Sequence, residues 1–361
     1  MRHSNFSFDI SKAHPISVLT SDSELGAGTR GASLGPQALL FACAERGVPI
    51  HDYPINRYHA PPMSGAQIAY PSIHFMTEYV DRCVSLCDRH RNALRVSERT
   101  LIISGDHSTA AGFVAGLRDA YPDDRVGLIW IDAHGDIHTP FTTPSGNIHG
   151  MPVAALLGID HLAMAQNVPS PDELTAWNRL KTLGREGITP KLYPHDVFFI
   201  DSRDLEAPEW CLIEQLGIEC ITAAERAQVG IKGVIERVGD WAEGFDHIYV
   251  SFDVDALDAP LVRGTGCPVP GGLSLEEAQS LLQALCRLDN LRTLEICEIN
   301  PLLDDENQVA RSIAELLWNM WEAFVRPSEL EQLSMSDTTS DVPRIEHRRI
   351  RSSSHDETIE H

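Results

Sequence analysis

Two six-residue runs, VGLIWI at 126–131 and HIYVSF at 247–252, are apolar almost from end to end, and they constrain the fold more than any other feature. A strand resting on a core by one face alternates apolar and polar residues. A strand lacking that alternation has both faces covered, as in a parallel sheet flanked by helices. Further runs of strand length lie at 15–20 (PISVLT), 48–53 (VPIHDY), 100–104 (TLIIS), 197–201 (VFFID), 219–222 (ECIT) and 292–297 (RTLEIC). Between them, helices are predicted near 36–46, 71–94, 108–120, 150–158, 208–216, 229–242, 274–287 and 306–325. Strands alternating with helices make βαβ units. The expected fold is therefore α/β, three layers with a doubly wound, mainly parallel sheet of about eight strands. Ligands bind such sheets beyond the carboxyl ends of the strands.

No Pro- or Gly-rich linker and no internal repeat divides the 361 residues, so residues 1–327 are expected to form one domain. After Pro327 the chain is polar, rich in Ser and charge, and poor in large apolar residues. Residues 328–361 read as a disordered tail, in which Arg344, Arg348, Arg349 and Arg351 are either solvated or a contact arm for a neighbouring subunit. A formal net charge of -23, from 52 acids against 29 bases, opposes binding to nucleic acid or to an anionic membrane surface. Cys43, Cys83, Cys87, Cys211, Cys220, Cys267, Cys286 and Cys297 are dispersed, several of them in apolar core segments. That pattern predicts free thiols rather than a disulfide framework. The N-terminal MRHSNFSFDISKAHP has no apolar signal core, and no run is long enough to span a bilayer, so a cytoplasmic location is expected.

Chemistry-bearing residues gather where the strand candidates stop. Asp132, His134 and Asp136 alternate in DAHGD after VGLIWI, Asp253 and Asp255 alternate in SFDVD at the end of HIYVSF, and Asp106 and His107 follow LIIS in SGDHS. Alternate residues of an extended segment project to the same side. Taken singly, each aspartate is better explained as a helix cap or turn residue, and each histidine as a hydrogen-bonded surface or core residue. Together, four ionised aspartates in one crevice repel each other and lose hydration unless cations compensate. Carboxylate and imidazole donors without thiolate suit hard divalent ions, manganese foremost, with nickel or cobalt as alternatives. Four such charges balance two dications.

With these residues in place, the chain resembles the ureohydrolases, the arginase and agmatinase family. GDHS at 105–108, DAHGD at 132–136 and SFDVDALD at 251–258 match that family's three metal-binding segments in order. The likeness extends from LGAGTRGASLGP at 25–36 to the helix near 325. It implies a metal pair, with His107, Asp132, Asp136 and Asp253 on one ion and Asp132, His134, Asp253 and Asp255 on the other. It further implies that a metal-bridging hydroxide attacks the guanidinium carbon to release urea, with Asp136 counted among the catalytic residues. In SGNIHG, His149 corresponds to the family's proton shuttle, its alternative being a loop or capping histidine. Glu298 corresponds to the carboxylate that orients the guanidinium, its alternative being a structural partner for an arginine. One departure is SGDHS in place of GGDHS, which puts Ser104 beside the first ligand.

Among guanidines, HTPFTTPSGNIHG is closest to the arginase pattern, in which Ser145 and Asn147 would bind the α-carboxylate of arginine. His138 stands where arginases generally carry Asn, and Glu206 where they carry Asp; Glu209 matches a family acid. The resemblance also implies a homo-oligomer, a trimer or hexamer. Three functions follow for testing: an arginase, another amidinohydrolase acting on a different small guanidino compound, and a metal-binding relative without catalysis.

Overall fold

The computed structural model describes residues 16–60 and 75–325. The proposed tail at 328–361, with its arginine cluster, and the first four residues of the helix predicted at 71–94 lie outside the described residues. Eight strands form one sheet in the order β2-β1-β3-β8-β7-β4-β5-β6. They are β1 (Ile16–Ser21), β2 (Ile55–Tyr58), β3 (Arg99–Ser104), β4 (Val126–Ile131), β5 (Val197–Ser202), β6 (Glu219–Thr222), β7 (His247–Asp253) and β8 (Leu291–Cys297). Every pairing is parallel, rather than mainly so. The order places β3, β8, β7 and β4 side by side in the centre, so chain segments far apart in sequence end on one stretch of the sheet edge.

Strand side chains alternate between two cores, as the two-sided burial requires. Ile129 and Ile131 of β4 join one, and Leu128 and Trp130 join the other. The first is closed by α1 (Gly35–Arg46), α7 (Ala223–Ala242), α8 (Leu275–Cys286) and α9 (Gln308–Val325). The second is closed by α2 (Met76–Leu94), α3 (Ala110–Ala120), α4 (Pro152–Leu157), α5 (Pro171–Lys181) and α6 (Ala207–Leu216). All eight cysteines are free. No described helix is long and apolar enough to cross a membrane.

Two local expectations are corrected. The run VPIHDY is not a strand: Pro49–Asp52 forms a 3-10 turn, and the edge strand is the next segment, Ile55–Tyr58. Pro49 has no N–H for a ladder but suits the first position of a helical turn. The helix read at 229–242 is the second part of α7, which begins at Ala223 and is interrupted at Gly230, φ 71°. Helix α5 had no counterpart among the predicted helices.

Candidate metal centre and substrate pocket

The predicted clusters meet at the carboxyl ends of the four central strands. His107 opens a short turn after β3, and its Nδ1 lies 2.9 Å from Asp132, 3.2 Å from Asp136 and 3.2 Å from Asp253. None of these three approaches is aligned as a hydrogen bond, so Nδ1 is buried without a partner. The atoms converge on a common point, as ligands do around an ion. A second such group joins Asp132, His134 and Asp255, with His134 Nδ1 3.3 Å and 3.1 Å from the two carboxylates. Asp132 belongs to both groups through different oxygens.

Electrostatics point the same way. Burial, then Asp255 and Asp132, push the Asp253 carboxyl well above its usual range. Burial and Asp132 lift Asp255 to about 6, and the same two causes raise Asp136. Burial opposes ionisation of Asp132 too, but the adjacent His107 and His134 imidazoles outweigh it and lower its pKa. Without ions, three of the four carboxylates here therefore resist ionisation, and divalent cations are what such a donor set fits.

Neighbouring groups fix these candidate ligands. Trp130 Nε1 donates to Asp132 at 3.0 Å while its ring stacks on His107 at 3.8 Å between centroids. Backbone N–H groups of His134, Ala133 and Asp255 donate to Asp132, Asp255 and Asp253 at 2.7, 3.2 and 2.8 Å. Asp136 and Glu298 adopt positive φ, 49° and 63°, conformations uncommon for non-glycine residues and concentrated at functional sites. A Cβ on Gly105 would fall 2.1 Å from the Ser23 carbonyl oxygen, so SGDHS requires glycine there for the β3 loop to pass its neighbour. Asp106, counted with the converging carboxylates in the sequence, instead caps the turn: it accepts from Ser108 N at 2.9 Å and Gly26 N at 3.0 Å.

A cavity of about 280 Å³ opens above this cluster. His149 Nδ1 lies 3.1 Å from Glu298 Oε1, which also accepts from His107 N at 2.9 Å. Burial opposes charge on His149, but Glu298, with Asp136 and Asp106 behind it, lifts its pKa to about 9. At the outer end stand His138, Ser145, Asn147 and Glu206. His138 Nε2 is 3.1 Å from Glu206 Oε2, and its Nδ1 bonds Thr142 Oγ1 at 3.1 Å. Burial, then His161, lowers His138 to about 4, so a neutral ring faces the pocket. Glu209 accepts from Glu206 N at 3.0 Å and Ile137 N at 3.4 Å, which makes it a helix cap as well as a wall.

Sequence reasoning missed Asp204, Thr143, Thr265 and Cys267, which also line the cavity. Asp204 lies 3.8 Å from His134 Nε2, and its position two residues before Glu206 was the available signal. Thr265 and Cys267 sit in a loop with no motif. That loop is held by Arg203, which donates to Asp255 O, Leu257 O and Val269 O at 2.6, 3.2 and 3.0 Å.

The Arginase family model matches residues 15–322. The chain belongs to the arginase family. It is thus a ureohydrolase-type enzyme, from a hydrolase family that acts on guanidino groups. It is 33% identical to the arginase of Brevibacillus brevis over 312 residues, covering 84% of this chain and 96% of that one. The solved structure of the Bacillus caldovelox arginase superposes with a TM-score of 0.72 at 31% identity, covering 85% and 98% of the two chains. The proclavaminate amidino hydrolase of Streptomyces clavuligerus, at 19% identity and TM-score 0.62 over 87% and 92%, shares the fold.

Proposed function

We propose that this chain hydrolyses L-arginine to urea and ornithine, using two divalent cations, manganese first, with nickel or cobalt as alternatives. The observation that carries this reading is Asp132 facing both His107 and His134 within one buried carboxylate cluster. His107, Asp132, Asp136 and Asp253 would hold one ion, and Asp132, His134, Asp253 and Asp255 the other. Bound there, the pair supplies a water acidified enough to act as a nucleophile near neutral pH. Glu298 offers a carboxylate to the planar guanidinium and orients its carbon toward the cluster. Asp136 accepts a hydrogen bond from the attacking water. The bond between that carbon and the side-chain nitrogen breaks, and His149 gives its proton to the departing amine, which leaves poorly unprotonated. Ser145 and Asn147 bind the α-carboxylate, and Glu206 the α-amino group. A trimeric or hexameric assembly in the cytoplasm, with 1–327 as the catalytic domain, belongs to the same reading.

A second reading, hydrolysis of another guanidino compound, is favoured by His138 and Glu206 meeting across the outer pocket. A neutral imidazole gives the substrate tail one donor, and the longer Glu206 arm shortens the space for the tail. Urea release from arginine, agmatine, guanidinobutyrate, homoarginine and guanidine, each with manganese, nickel and cobalt, decides between the two. Arginine is expected to lead. A protein that binds metal yet releases urea from none of them refutes hydrolysis.

A further inference from the structure

Beneath the metal cluster lies a buried carboxylate that the proposed reaction does not use. Glu295 on β8 is fully buried, and its hydrogen bonds come from three hydroxyl groups on neighbouring strands. Ser104 Oγ of β3 donates to Oε1 at 2.7 Å, while Tyr249 Oη and Ser251 Oγ of β7 donate to Oε2 at 2.8 and 2.9 Å. Ser251 is the register partner of Glu295, and its Oγ lies 2.7 Å from His107 Nε2.

Hydrogen-bond polarity then runs in one direction. A carboxylate only accepts, and a serine hydroxyl has a single proton to give. Once Ser251 gives it to Glu295, its oxygen is left to accept from His107 Nε2–H. The ring proton is thereby fixed on Nε2, and the Nδ1 lone pair faces Asp132, Asp136 and Asp253. Imidazole ligands are commonly held in one tautomer by such outer partners. Ser104 is the residue that departs from the GGDHS pattern, and glycine there has no hydroxyl to offer the carboxylate.

We propose that Ser104 and Glu295 form a buried relay that acts through Ser251 to set the orientation and tautomer of His107, making both of them positioning residues for a cation. This rests on the metal reading above. The test is calorimetric titration of Mn²⁺ into the metal-free protein, alongside its thermal midpoint without metal. Glu295→Met removes the acceptor and frees the Ser251 proton to turn toward His107. Binding is expected to weaken about 10- to 100-fold at one of two steps, the range for outer partners of metal ligands. Ser104→Gly is expected to weaken the same step about threefold, the scale of one hydrogen bond, with Ser104→Thr restoring it. If Glu295→Met does not fold, the serine pair decides alone. Unchanged affinity at both steps in the folded variants overturns the relay. So does a fall in the metal-free midpoint with affinity intact, which would assign these residues to strand packing. Failure of the unaltered protein to take up Mn²⁺ would instead sink the metal reading on which the relay stands.

Discussion

Replacing Asp255 by Asn should make the metal-free protein more stable, although it removes a side chain from the heart of the molecule. Asp255 is 3% exposed, and burial and Asp132 raise its pKa from 3.8 to about 6. Below the unfolded value both states are protonated and the group costs nothing. As pH rises from about 4 to 6 the unfolded chain loses the proton first, so the folded state is progressively penalised, and above about 6 the penalty is constant. Two units at 1.36 kcal/mol each give about 3 kcal/mol. For about 300 ordered residues the unfolding entropy is on the order of 0.6 kcal/mol per kelvin, so the midpoint should rise by about 5 °C at pH 7.5. Asn keeps the acceptor for Ala133 N, while His134, whose Nδ1 lies 3.1 Å from the carboxylate, loses the part of its raised pKa that Asp255 supplies, which makes about 5 °C the upper bound of the gain. Thermal scans of metal-free protein at pH 4 and 7.5 measure the difference. It should be near zero at the lower pH, and with saturating Mn²⁺ the order should reverse. A metal-free variant less stable than the parent at pH 7.5 would refute the argument that this carboxylate is uncompensated.

Three other outcomes follow. Gly105→Ala forces a Cβ to 2.1 Å from the Ser23 carbonyl oxygen, a backbone clash, and soluble folded protein should fall sharply in expression trials. Arg203→Met removes the one nitrogen, Nη2, that donates to Asp255 O, Leu257 O and Val269 O; each stranded carbonyl costs about 1–3 kcal/mol, so the midpoint should drop by several degrees and KM should rise with the loosened wall. His149→Asn should lower kcat by roughly 10²- to 10⁴-fold, the usual worth of a proton-transfer group, while metal content measured by emission spectroscopy stays at the parent level.

The sheet was legible because its central strands are apolar on both faces, a pattern that needs no tertiary information to interpret. Strand ends carrying Asp132, His134, Asp253 and Asp255 were legible for the same reason, since alternation in an extended segment decides which side chains share a side. Asp106 was not, because a cap and a ligand look alike until its neighbours, Gly26 and Ser108, are placed. Helix α5 could have been found: Ser170 and Glu173 form a capping box around Pro171, and the sequence SPDE announces it. The edge strand was misplaced by a few residues because VPIHDY has the composition of a strand, and only Pro49 argues against it. What no local pattern revealed was long-range: the loop carrying Thr265 and Cys267 reaches the pocket through Arg203, and Glu295 reaches His107 through Ser251.

Two shared carboxylates, Asp132 and Asp253, would let two cations sit side by side among groups that otherwise repel, and Asp132 faces both histidines. Titration of metal-free protein with Mn²⁺ at pH 7.5, counted by calorimetry and by metal analysis after gel filtration, tests it most directly. Two ions per chain are expected, with Asp132→Asn impairing both binding steps. One ion, none, or two that bind unchanged in that variant would contradict it.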